Sequence, residues 1–291
     1  MKCSHVKSVF GILLLGSMLT FAGCTSTATG SLDIPVFHAQ TDEYASQISA
    51  TSKRLNTLLP VLAKADQLAS GYFYEEAIAL LKDVPAEYTG DAEVLAKIDE
   101  YQTALDALVP YEEPVRHIFF HSLIVDTSLA FDGDYMENGY NYWMTTVDEF
   151  KAMLVELYNN DFILIDIHEL AREEVDENGN MKLVANDPLV PAGKKPLVLS
   201  VDDVNYYEYM EHDGFARKLL IDENGDVKNL YIDENGNELI GDYDVAPILD
   251  SFVKEHPDFS FNGAKGIIGL TGYYGILGYR TDSDSENMQS E

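Results

Sequence analysis

The chain has 291 residues, with 50 acidic against 19 basic, for a formal charge of −31. That length suits one or two domains, and 46% apolar with 24% charged residues is the composition of a folded chain with an acidic surface. The charge excludes nucleic-acid binding through a basic patch; anionic lipid would also repel this surface, so membrane contact requires an anchor. Both cysteines, Cys3 and Cys24, lie close to the amino terminus, which leaves no disulfide framework or Cys-based metal site in the rest of the chain.

Residues 1–24 read as an export signal. Lys2 and Lys7 precede an apolar run from Val9 to Leu15 that continues to Phe21, with no acid among them. The run is short for a membrane span. It closes on Phe21-Ala22-Gly23-Cys24, which resembles a bacterial lipobox. That resemblance implies cleavage before Cys24 and lipid on its thiol. A plain signal peptide with an incidental cysteine is the alternative. The expectation is an exported protein, lipid-anchored to the cell membrane through Cys24. Residues 25–40, small and polar, have the composition of a tether.

Between residues 41 and 110 the apolar residues recur at helical spacing, as in Leu55, Leu58, Leu59 and Leu62, and later Val94, Leu95 and Ile98. Pro60, Pro85 and Pro110, with Gly71 and Gly90, are expected to cut this segment into short helices. The stretch from Ala65 to Pro85 looks like one tetratricopeptide-type helix pair, with Ala65, Ala69 and Gly71 allowing close approach and Tyr74 packing across. A solenoid needs about three such repeats. An ordinary helical hairpin serving as a spacer is the competing reading.

From Val115 the periodicity changes. Val115 to His121 reads as a strand, and Thr146 to Asn159 as a helix with Thr146 and Glu149 as a capping box and Phe150, Met153, Leu154 and Leu157 as its buried stripe. Phe162 to Ile165 is a second strand, followed by a short helix at His168 to Arg172. Pro196 to Val201 is a third strand and Gly266 to Leu270 a fourth. Short apolar strands alternating with helices imply an α/β fold with a parallel sheet covered on both faces, its chemistry at the carboxyl edge. Asp202-Asp203 leaves the third strand at such an edge. Adjacent residues leaving a strand point to opposite sides, so one acid can meet a cation while the other serves as a base. Capping of a following helix is the plainer use of the pair.

The order Phe120-His121-Ser122-Leu123, then Thr146 to Ile165, then Lys195 to Asp203 is similar to polysaccharide deacetylases of the NodB-homology family. The resemblance covers residues 114–281. It implies a partial, distorted (β/α) barrel preceded by the short helical segment, and a deacetylase-like domain over 111–291. It further implies metal-dependent hydrolysis of N-acetyl groups on a cell-surface polysaccharide or peptidoglycan. Asp202 would be the general base and Asp203 a ligand of a divalent metal, usually zinc. His121, Tyr206 and Tyr207 would stand at the substrate or site edge. Two departures are plain. Val204 replaces the family's Gly after the acids, and the family's His-x3-His metal motif is missing after Asp203, where the histidines are His212 and His256. The one His-x3-His, His117 with His121, falls on the first strand, where four residues span about 13 Å, too far for one ion. The expectation is therefore a chain that ends before the motif and holds no tight metal. A noncatalytic glycan-binding or scaffold lipoprotein is the alternative.

Asp-Glu-Asn-Gly occurs at 176–179, 222–225 and 233–236. Gly is fourth, where a helix–loop–helix calcium loop has it sixth, so type I′ hairpin turns are expected over calcium sites. Tyr206, Tyr207, Tyr209, Tyr273 and Tyr274 flank the expected site, and aromatic rings stack on sugars.

Overall fold

The computed structural model describes residues 36–281. The export signal, Cys24 and most of the tether lie outside the described residues. The end of the tether segment is already helical, because α1 runs Val36–Ser70. Pro60 sits inside α1 and does not break it, contrary to expectation. A proline removes one helical hydrogen bond, and here the buried Leu58, Leu62 and Ala65 on either side keep the helix in place. The chain divides into two compact units at Thr51, and α1 crosses that point.

In the second unit, Gly71 to Phe73 turn the chain into α2 (Tyr74–Lys82), and α3 spans Ala92–Asp106. Asp91 caps α3 by accepting from the Glu93 and Val94 amides. Leu58, Leu62, Ala77, Leu81 and Val94 form the core of this helical layer, with Tyr74 packed against it. The residues after α3 leave the helical pattern: β1 (Leu108–Pro110) is a strand.

The sheet begins with β2 (Arg116–Phe120). Two short helices, α4 (Thr127–Ala130) and α5 (Glu137–Trp143), lead to α6 (Val147–Asn159). Thr146 and Glu149 form the expected reciprocal capping box; Phe150 and Leu154 are buried, whereas Met153 is 43% exposed and falls off the stripe. Next comes β3 (Phe162–Leu164). The helix expected at His168 to Arg172 is instead a single 3-10 turn, Ile167–Leu170, capped by Asp166, and the chain then enters β4 (Ala171–Val175). Strands β5 (Met181–Ala185), β6 (Leu189–Pro191) and β7 (Lys195–Val201) follow. A meander of β8 (Lys218–Ile221), β9 (Val227–Ile232) and β10 (Glu238–Gly241) precedes α7 (Val245–Glu255). The described chain closes with β11 (Gly266–Ile268), β12 (Gly275–Ile276) and β13 (Tyr279–Arg280).

β7 is the centre of a parallel sheet. β2 lies along one side, with Ile118 opposite Leu199; β3 and β11 share the other side, Leu164 opposite Leu197 and Gly266 opposite Leu199. One face of β7, carrying Leu197, Leu199 and Val201, packs against Phe150 and Leu154 of α6 and Ile248 and Leu249 of α7. The opposite face carries Val198, which packs with Ile163, Val190 and Phe261, and with Tyr72 from the turn between α1 and α2. Tyr72 Oη also donates to the Asp258 carbonyl at 2.9 Å, and β1 pairs antiparallel with β6. The expected mixed α/β fold with a parallel sheet is present, but among the described residues the sheet does not close into a barrel. Within the parallel sheet, among the described residues, β7 alone has strands on both sides, so the barrel geometry has no ring of neighbours to complete it.

All three Asp-Glu-Asn-Gly stretches are hairpin connections, joining β4 to β5, β8 to β9 and β9 to β10. They are not two-residue type I′ turns, which require positive φ at both central residues. Only the glycines are left-handed, Gly179 (φ 82), Gly225 (φ 85) and Gly236 (φ 79). The reason is the aspartate: Asp176 Oδ1 accepts from the Asn178 and Asn180 amides at 2.8 Å each, and Asp222 and Asp233 repeat the pattern. That side-chain turn favours a longer loop with glycine last. These carboxylates are occupied by backbone N–H groups.

Candidate functional site

The carboxyl ends of β2, β7 and β11 meet at one edge. The Asp202 amide donates to the Phe120 carbonyl at 2.7 Å, so His121, the first residue after β2, follows directly on the carbonyl that Asp202 bonds. The Gly269 amide donates to Val201, and its carbonyl accepts from Val204. Both acids and His121 are half-buried. Asp202 and Asp203 cap no helix: the next helical turn, Glu208–Met210, is preceded by Tyr207. The two acids have different partners, as expected for neighbours leaving a strand. Asp202 Oδ1 accepts from the Ser200 hydroxyl at 3.3 Å. Asp203, with φ 56, turns the chain out of the sheet and its Oδ1 accepts from Tyr207 Oη at 3.0 Å and Thr271 Oγ1 at 2.5 Å. Burial holds the Tyr207 phenol above its ordinary pKa, and the adjacent Asp203 carboxylate adds to this, so the hydroxyl keeps its proton and donates it to Asp203. Asp203 is thus left-handed, and Val204 after it is buried in the main core.

The loop from Asp203 to Glu211 is secured from below. Tyr206 (φ 52) is 3% exposed, and its hydroxyl accepts from the Asn229 amide at 3.1 Å. It supports the loop and offers no face to a substrate, unlike the site-edge role expected for it. Arg280, 1% exposed, donates from Nη1 to the Asn205 carbonyl at 2.9 Å and from Nη2 to the Tyr206 carbonyl. Glu208 and Glu211 each lie 3.8 Å from its guanidinium. Asp244, also 1% exposed, caps α7 and ties it to the residues after β2: its Oδ1 accepts from the Val245 and Leu123 amides at 2.7 and 3.0 Å. Burial pushes the Asp244 carboxyl up to about 6, against the lowering pull of the Tyr206 hydroxyl and those two amides. Sequence reading missed Arg280, Asp244 and Thr271, because each acts on a partner distant in the chain.

Around Asp203 the tyrosines gather as expected, Tyr206 excepted. Tyr207 and Tyr209 stack at 5.4 Å with an 18° angle, Tyr273 stands 6.4 Å from Tyr207, and Tyr274 is 4.2 Å from Tyr273. Tyr209 and Tyr273 are each 58% exposed. The edge therefore presents two carboxylates, a histidine and open aromatic faces. A groove of 1220 Å³ opens elsewhere, near Val115, Ile118, Met153, Leu157 and Phe162, and contains neither acid.

The donor set does not fit the divalent metal implied by the resemblance. A catalytic zinc takes three protein ligands and a water. Among the described residues no three of His, Cys, Asp and Glu come together to hold an ion. His117 points its Nε2 at Ser200, at 2.9 Å. Among the described residues no helix is long and apolar enough to cross a membrane. Comparison with family models, with curated proteins and with solved structures returned no match.

Proposed function

We propose that this chain is an exported, polysaccharide-deacetylase-like protein, lipid-anchored through Cys24, whose sheet edge faces an N-acetylated cell-surface glycan. The observation that carries the reading is the convergence of Asp202, Asp203 and His121 at the carboxyl edge of β7 and β2 beneath exposed tyrosines. Parallel α/β folds keep their chemistry at that edge. Tyr209 and Tyr273 offer flat faces to pyranose rings. Asp202 is placed as the proton acceptor of any hydrolysis at this edge, its second oxygen left for a water or sugar hydroxyl.

A second reading, glycan binding without turnover, is favoured by one feature. Asp203 Oδ1 is committed to Tyr207 and Thr271, in a donor set that does not fit a metal. Titration of the protein with N-acetylglucosamine oligomers, followed by an acetate-release assay with and without added zinc, separates the two. The expected result is saturable binding that Tyr209→Ala weakens about tenfold, with acetate at the blank level. Acetate release abolished by Asp202→Asn would establish the hydrolase instead; absence of both binding and release would end both readings. Separately, Cys24→Ala should move the protein out of the membrane fraction, and unchanged partitioning would refute the anchor.

A further inference from the structure

Asp202 is tethered along the sheet by two linked hydrogen bonds. Ser200 Oγ lies 3.3 Å from Asp202 Oδ1 and 2.9 Å from His117 Nε2. A serine hydroxyl has a single proton; given to the carboxylate, it leaves Oγ as the acceptor of an Nε2–H from the imidazole. Strand geometry brings the three together. Side chains alternate with period two, and the register sets His117 against Val198 and Phe119 against Ser200, so all share one face with Asp202. That face is opposite the one packed on α6 and α7. It is open beside Ser200, where Phe119 is 60% exposed, while Ser200 itself is 5% exposed. On the β11 side Gly269 closes in: a Cβ there would stand 3.4 Å from Asp202 Oδ1.

We propose that His117 and Ser200 are positioning residues for the Asp202 carboxylate, His117 orienting the serine hydroxyl and the hydroxyl fixing the side-chain rotamer of the acid. This rests on the reading of Asp202 as the proton acceptor. The outward bond is long for an O–H donor, as is common in sites without substrate. A free carboxylate on an open sheet face samples several rotamers. The tether selects one and aims the second oxygen toward the aromatic edge.

The test reads the rotamer and uses no sugar, so its outcome is independent of the glycan reading. Three-bond couplings from Asp202 Cγ to backbone nitrogen and carbonyl report χ1 in the full, isotope-labelled chain, and imidazole nitrogen shifts report which His117 nitrogen carries the proton. The expected result is one Asp202 rotamer and an Nε2-bound proton in the parent chain. Ser200→Thr, which keeps the hydroxyl, and His117→Gln, which keeps a donor, should retain the rotamer. Ser200→Ala and His117→Leu should give averaged couplings, with the Asp202 amide shift unchanged to show that its bond to Phe120 survives. Couplings that stay the same in Ser200→Ala and His117→Leu would overturn the proposal, as would averaging already present in the parent chain.

Discussion

The aspartates of the hairpins and those of the sheet edge use the same functional group in opposite ways. In the hairpins, Asp176, Asp222 and Asp233 bond amides two and four residues ahead, at the partly exposed surface. The backbone amides hold the Asp176 and Asp222 carboxyls below their ordinary pKa, and the Asn237 side chain, then its amide, does so for Asp233. At the edge, Asp244 bonds Leu123 across the fold and is pushed up to about 6 by burial. The difference shows that a carboxylate satisfied locally is a turn device, while one satisfied across the fold couples distant loops. Asp202 stands between the two, since its carboxylate is satisfied within β7 by Ser200 while its backbone amide bonds across to β2.

The largest test of this comparison is Arg280→Met. It removes the donors of the Asn205 and Tyr206 carbonyls and leaves the buried Glu211 with less positive charge. Loss of one partner from a buried charged set costs about 3–5 kcal/mol. Urea unfolding should show a loss of that size; a change near zero would mean that the loop holds itself.

Asp244 comes next, through pH. Its folded carboxyl keeps the proton to about 6, whereas the ordinary value is 3.8. The folded state therefore binds more protons in that window, so stability is full below the ordinary value and falls as pH rises toward 6, by about 3 kcal/mol. Asp244→Asn keeps a capping acceptor and should flatten the slope. A slope that persists in this variant would assign it to another group.

A smaller effect is expected at Thr146→Ala. The capping box satisfies the Glu149 and Thr146 amides, and its loss should cost about 1 kcal/mol.

The smallest effect should be Asp222→Ala. The depressed carboxyl stabilises the hairpin above its ordinary pKa, and that contribution is lost as pH falls through the folded value, opposite in sign to Asp244. Amide exchange at Asn224 and Asp226 should rise while exchange in β7 stays unchanged. Faster exchange in β7 would show that the hairpin is coupled to the sheet.

Much of the local structure was legible in the chain. The strands at Arg116–Phe120, Phe162–Leu164, Lys195–Val201 and Gly266–Ile268, and the capped helix after Thr146, follow from apolar runs and a capping pair. The acid pair and the cluster of tyrosines were likewise visible as a candidate site. Pro60 misled because the packing of Leu58 and Leu62 outweighs one lost bond. Asn-Gly misled as to turn type because the preceding Asp supplies its own bonds.

The sequence by itself determined whatever depends on neighbours a few residues away: helix caps, strand alternation, hairpin positions, and the acidic charge of the chain. Tertiary structure alone decided that Tyr206 is buried while Tyr209 is open, that Arg280 lies beneath the loop after β7, that Asp244 joins α7 to the residues after β2, and that His117 reaches Asp202 through Ser200. The physical reason is range. A capping bond or a period-two pattern is complete within one segment, whereas burial and cross-strand hydrogen bonds depend on which strand lies beside which, and that register is set by the packing of the whole sheet.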